Sequence, residues 1–249
     1  MKIYYFILIS ILFLLTNCSE FTSNKIEKNT IKPIPKSIKK HDSKSIVLKK
    51  YHEFNLIDVR TLNKNIRVDL KYASTDNFMK IKLYDKLTKA FLQKDVAERL
   101  AKCQAYLTSL NPNYHLLIYD AVRPVSVQWK MWKALDTVPI SERVKFVSNP
   151  ANGSIHNYGA AVDLTICDKR GIPLDMGAGY DDIRQIAYPR NEAQFLASGE
   201  LTQEHINNRN LLRKVMSSQG FNNIQTEWWH FNACNRNIAK EKYQVLERE

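Results

Sequence analysis

Ser154-Ile155-His156-Asn157-Tyr158-Gly159-Ala160-Ala161-Val162-Asp163-Leu164-Thr165-Ile166 joins a Gly-containing turn to a segment that alternates with period two. Val162, Leu164 and Ile166 fall on one face of that segment and Asp163 and Thr165 on the other, which predicts a strand. A His in the turn and an Asp on the strand that follows can bring an imidazole and a carboxylate to one cation.

The flanking sequence supplies partners for this strand. Ile66-Arg67-Val68-Asp69-Leu70 alternates in the same way and reads as a strand. Leu92, Val96, Leu100, Cys103, Leu107 and Leu110 recur at three and four, the spacing of an amphipathic helix, and Asn111-Pro112-Asn113 stops it. His115 to Tyr119 is a short apolar strand ending at Asp120. Ser126 to Leu135 has helical character, with Trp129 and Trp132 expected in the core. Thr202 can cap a helix running through Leu211, Leu212, Val215 and Met216, with Gly220 past its end. A last strand includes Trp228 to Asn232. Strands and helices do not alternate as repeated βαβ units, so the class is α+β, with one compact domain over residues 51–249.

Composition agrees with a folded domain and points to an address. The 249 residues are 44% hydrophobic and include only 7 Gly and 8 Pro, which excludes a wholly disordered or collagen-like chain. The net charge of +12 is concentrated at one end, since residues 18–50 hold nine Lys against three acids. With Lys2 also set aside, residues 51–249 carry only +5, so a nucleic-acid partner is not indicated.

Met1 and Lys2 precede thirteen mostly apolar residues, Ile3 to Leu15. At about 1.5 Å per residue they are too short for a bilayer core of ~30 Å, but they fit a secretory signal over residues 1–17. Leu15-Thr16-Asn17-Cys18 resembles a bacterial lipoprotein box, with lipid on Cys18 and Asn17 a looser fit than the usual small residue. An ordinary cleaved signal or an uncleaved anchor is the alternative. Residues 18–50 read as a basic flexible linker, too polar to offset their ordering entropy. The chain is thus expected to be exported and held at a membrane, facing the periplasm or the cell exterior. Three other cysteines remain. Cys103 is expected as a buried thiol, and a Cys167–Cys234 disulfide is left open as an expectation.

Two further segments complete the chemistry. Glu227-Trp228-Trp229-His230 adds a second imidazole and a carboxylate. Two His and one Asp are a set that Zn²⁺ accepts while a fourth position stays open for water. Glu227 then suits a general base, provided that it sits in a turn or bulge, because residues i and i+3 of a regular strand face opposite ways. In Tyr119-Asp120-Ala121-Val122-Arg123-Pro124, the Arg before Pro is biased to extended backbone, and its guanidinium can stabilise a developing oxyanion. Taken singly, each has a structural reading: a core histidine, an Asp paired with a lysine, a surface arginine.

Together these motifs resemble the M15 zinc peptidases of peptidoglycan metabolism, and more closely their VanX-type D-alanyl-D-alanine dipeptidase branch. The resemblance covers most of residues 66–232. It rests on Lys71-Tyr72-Ala73-Ser74-Thr75-Asp76-Asn77-Phe78, Ser154-x-His156-x-x-Gly159-x-Ala161-x-Asp163-Leu164-Thr165, Met176-Gly177-x-x-Tyr180-Asp181 and Glu227-Trp228-Trp229-His230. It implies a small antiparallel-rich sheet flanked by helices. It also implies one Zn²⁺ per chain on His156, Asp163 and His230, with Glu227 as base and Arg123 as transition-state stabiliser. Ser154, Tyr72 and Asp181 would line the substrate cavity, Asp181 meeting the ammonium of a free dipeptide. The implied reaction is hydrolysis of D-Ala-D-Ala or a closely related D,D-dipeptide. The alternatives are a D,D-carboxypeptidase or endopeptidase on peptidoglycan stem peptides, or a non-catalytic wall-peptide binder. Two departures stand out: Ala121 and Val122 replace the family's usual Gly and aromatic, and dipeptidases of this type are commonly cytoplasmic.

Overall fold

Strand β5 (Ala161–Cys167) is the hub of the described part of the chain, residues 51–249 of a computed structural model. The expected signal segment, lipid-bearing Cys18 and basic linker lie outside the described residues. All seven residues of β5 are buried, on both faces; β4 (His115–Asp120) runs along one edge and β7 (His230–Asn232) along the other. Beyond them, β2 (Arg67–Val68) and β6 (Asn222–Asn223) complete a five-stranded sheet of order β2-β4-β5-β7-β6. Only the β2–β4 pair is parallel. A separate antiparallel pair joins β1 (Leu56–Asp58) to β3 (Phe91–Gln93). The class is α+β, with an antiparallel-rich sheet, as expected.

Helix α1 (Lys94–Leu110) follows β3 directly and buries Val96, Leu100, Cys103 and Leu107, as the spacing predicts. Leu92 continues the apolar period, but it belongs to β3, where it pairs with Ile57 of β1; pairing with a neighbouring strand overrides the local helical pattern. Leu110, the last residue of the helix, is exposed. Helix α2 (Val125–Ala134) buries Val127, Gln128, Met131 and Trp132. Trp129 lies off this stripe and is exposed, against expectation. After the short α3 (Glu192–Ala197), α4 (Gln203–Ser217) packs against α1. Thr202 caps α4 as predicted: its hydroxyl accepts from His205 N at 3.2 Å, and Thr202 N donates to His205 Nδ1 at 3.1 Å. Gly220 takes φ +72° beyond the helix end. Helix α5 (Arg236–Lys242) follows β7.

The expected strand over Ile66–Leu70 shrinks to two paired residues, and that over Trp228–Asn232 begins at His230. The Cys167–Cys234 disulfide does not form, since both thiols are free and Cys103 is buried. Asp163 pairs with His230 in an antiparallel ladder, so four residues onward from each leads toward opposite ends of the sheet. The two cysteines are thereby driven apart by roughly eight strand positions, or ~26 Å, well beyond disulfide reach.

Candidate metal centre and active site

The turn before β5 is built to present His156. Ser154 caps a short 3₁₀ turn, Ile155–Tyr158; its Oγ accepts from His156 N, and its own N–H donates to Asn157 Oδ1 at 2.6 Å. Gly159, at φ +65°, then turns the chain into the strand. His156 Nδ1 donates to the Ala121 carbonyl at 2.6 Å, which fixes the tautomer and leaves Nε2 as a lone-pair donor.

Strand pairing brings the other two groups to that nitrogen. Asp163 Oδ1 lies 2.9 Å from His230 Nδ1 and 3.3 Å from His156 Nε2, and the two imidazole nitrogens are 3.2 Å apart. His230 Nε2 is turned away and donates to Asn232 Oδ1 at 2.9 Å. A tetrahedral ion with bonds of ~2.0–2.1 Å needs its ligand atoms roughly 3.3 Å apart, so this N,N,O set fits a divalent cation. It is the only such group of three among the described residues. Asp163 is held well below the usual carboxylate range: burial works against its charge, but both imidazoles favour it. Its Oδ2 accepts from Tyr180 OH at 3.2 Å and lies 3.6 Å from Arg123 Nη2.

Glu227 sits in the loop entering β7, as the i, i+3 geometry requires, with Oε2 3.7 Å from His230 Nδ1. Asn223 holds this loop, its Nδ2 donating to the carbonyls of Glu227 at 2.8 Å and His230 at 2.9 Å. Burial raises the Glu227 pKa above the ordinary value.

Arg123 is fixed from both sides. Its backbone N donates to His156 O and its carbonyl accepts from Asn157 Nδ2 at 2.7 Å. The guanidinium donates twice to buried Asp120 Oδ2, at 2.9 and 2.6 Å, and lies over the Tyr72 ring. Burial opposes its charge, yet Asp120 holds it firmly protonated. Tyr84 OH donates to the other Asp120 oxygen at 2.5 Å. Tyr72 OH donates to Asp181 at 3.1 Å. Asp181, at φ +61°, has its pKa pushed well up by burial and then by the Asp163 charge.

All eight residues singled out from the sequence line one hollow of about 200 Å³. An adjoining hollow of about 220 Å³ shares Phe146, Asp181, Glu227 and Trp229 with it. Ala121 and Val122 are buried in the core instead, so that departure reaches the site only through the Ala121 carbonyl. Asp120, Tyr180 and Asn223 join the site from outside the residues that the sequence assigns a role. Asp120 and Tyr180 each lie inside one of the sequence motifs, but neither spacing shows what their side chains hold; Asn223 carries no signal, because its role is set by loop closure.

The sequence model of the M15 peptidase family, described as D-ala-D-ala dipeptidase, matches residues 52–247. A D-alanyl-D-alanine dipeptidase of Escherichia coli (strain K12) is 35% identical over 178 residues, covering 71% of this chain and 83% of that protein. Those of Enterococcus faecalis (strain ATCC 700802 / V583) and Synechocystis sp. (strain ATCC 27184 / PCC 6803 / Kazusa) are each 29% identical, covering 67% and 57% of this chain and 85% and 68% of their own. With a match across nearly all the described residues and a buried His-Asp-His cluster within it, the chain belongs to the M15 family of metal-dependent peptidases.

Proposed function

We infer that this enzyme is a zinc dipeptidase that hydrolyses D-Ala-D-Ala, or a closely related D,D-dipeptide, in peptidoglycan metabolism. The observation that carries the reading is the placement of the His156–Asp163–His230 cluster, Glu227 and Arg123 in one small hollow. That hollow falls below the ~300–1,000 Å³ of sites for drug-sized ligands.

His156, Asp163 and His230 would hold the ion. Zn²⁺ there supplies Lewis acidity, making water more acidic and a carbonyl more electrophilic. Glu227, its pKa raised by burial, takes the proton from the attacking water and passes it to the leaving amine. Arg123 donates to the carbonyl oxygen as negative charge grows on it; the Asp120 pair uses Nε and Nη2, which leaves Nη1 free for that task. Asp181, steadied by Tyr72 OH, receives the substrate ammonium, and Ser154 offers its hydroxyl hydrogen to a substrate oxygen.

The adjoining hollow supports a second reading, a D,D-carboxypeptidase or endopeptidase acting on stem peptides, since it gives a longer chain somewhere to run. For location, the lipoprotein-like Leu15-Thr16-Asn17-Cys18 and the basic linker support export with a lipid anchor at Cys18.

The test is D-alanine release by the zinc-loaded protein from D-Ala-D-Ala and from a pentapeptide stem, with Glu227→Ala and chelated protein as controls. Release from the dipeptide alone, lost in both controls, is the expected result. Release from the stem alone would replace this reading with the second.

A further inference from the structure

The geometry points to Arg236 as the residue that recognises the free carboxylate of the substrate, and so limits the site to peptides with an unblocked C-terminus. The inference rests on the dipeptidase reading above.

Arg236 opens helix α5 four residues after β7 ends, and it lines the same hollow as the His-Asp-His cluster. Its Nη1 donates to the Asn152 carbonyl at 3.1 Å, which ties the guanidinium to the loop leading into Ser154. A guanidinium has five N–H donors, and this bond uses one of them. The two arginines of the hollow therefore differ in kind. Arg123 is neutralised by buried Asp120, its Nε and Nη2 both donating to Oδ2. Arg236 makes no ion pair with any carboxylate among the described residues.

A free dipeptide is a zwitterion and brings two charges into this space. Asp181 is suited to the ammonium. The carboxylate, one residue further along, needs a cation that is not already paired, and Arg236 is the one lining the hollow. Asp181 also borders the adjoining hollow whereas Arg236 does not, which sets the two charges apart along the cleft. An arginine fork suits a carboxylate because two parallel N–H groups can meet its two oxygens. A stem peptide cut internally presents a neutral amide at that place and forfeits the contact. Arg236 is thus a specificity residue that favours dipeptide over internal cleavage.

The test compares D-Ala-D-Ala with its C-terminal amide on the zinc-loaded full chain, following D-alanine release. Wild type is expected to prefer the acid by roughly ten-fold in kcat/KM, mainly through KM, the lower end for a charged hydrogen bond at an exposed residue. Arg236→Ala should bring the acid-to-amide ratio toward one, and Arg236→Lys should restore part of it. As a binding readout, calorimetry of D-Ala-D-Ala on Glu227→Gln should show a similar loss when Arg236→Ala is added. A ratio near one in wild type, or a ratio unchanged by Arg236→Ala, overturns the anchor and leaves the dipeptidase reading intact. Cleavage of neither substrate by wild type overturns that reading and the anchor with it.

Discussion

Asp163 and His230 are cross-strand partners in the β5–β7 ladder, and their side chains meet at 2.9 Å although 67 positions separate them in the chain. His156 Nε2 lies 3.2 Å from the same His230 nitrogen. Two imidazole lone pairs and a carboxylate at such distances repel one another unless a proton or a cation sits among them. The fold therefore stores a demand for positive charge at this point, and the chemistry of the site follows from what meets it.

Without metal, a proton meets it. Burial works against charge on His230, but the hydrogen bond and charge of Asp163 push its pKa up to about 9. Zn²⁺ must displace that proton, so binding at pH 7 should release about one proton per ion. Titration calorimetry in buffers of differing ionisation heat reads this number directly. Release should fall as pH rises through about 9. No release at pH 7 would mean that the metal-free site is held together in another way.

Glu227 is expected to set the acid limb of the activity. Burial raises its pKa, and the ionised form is the base, so kcat should fall as pH drops through a value above the ordinary glutamate range. Glu227→Gln should cost about 10²–10⁴-fold in kcat while zinc content stays near one per chain. A variant that keeps most of its activity would transfer the proton-handling role to another group.

Much of this site was legible in the sequence because its groups sit in short motifs with local causes. Ser154 caps the turn that carries His156, and Gly159 ends it, so one decapeptide encodes the approach to the strand. The i, i+3 relation of Glu227 and His230 already demanded a loop between them, and the loop is there. What could not be read was register. Only the Asp163–His230 pairing shows that Cys167 and Cys234 run to opposite ends. Only tertiary pairing removes Leu92 from the helix whose period it shares. The supporting contacts were hidden for the same reason: Tyr180 reaches Asp163, and Asn223 reaches Glu227, through closures that no spacing announces.

Asp181 should illustrate a conflict between stability and function. Burial, then the charge of Asp163, raise its pKa well above the ordinary carboxylate value. The folded state thus holds this proton more tightly than the unfolded chain does. Any stability gained in that way is present below the ordinary carboxylate pKa and is lost as pH rises through the folded value. Asp181→Asn removes the loss, so its Tm advantage over wild type should grow between about pH 4 and pH 7. Dipeptide turnover should fall at the same time, because the ammonium loses its partner. An equal or lower Tm for the variant at pH 7 would show that Tyr72 OH already offsets the buried charge.

The last prediction separates backbone strain from crowding at the turn that carries His156. Gly159 and Gly171 both have positive φ, +65° and +87°. A Cβ at Gly159 would lie 2.6 Å from Leu56 Cδ2 and 3.3 Å from Gln93 N, while one at Gly171 meets nothing within 4 Å. Gly171→Ala should therefore cost the conformational strain alone, about 1–2 kcal/mol, or roughly 2–8 °C in Tm. Gly159→Ala carries the same strain and must also displace Leu56 or open the contact with β3, so its Tm should fall further. Because Gly159 N donates to the His156 carbonyl at 3.0 Å, that displacement reaches the imidazole, and zinc affinity should drop only in this variant. Equal Tm losses with equal zinc affinities would show that β1 and β3 yield freely, and that the turn holds His156 without their support.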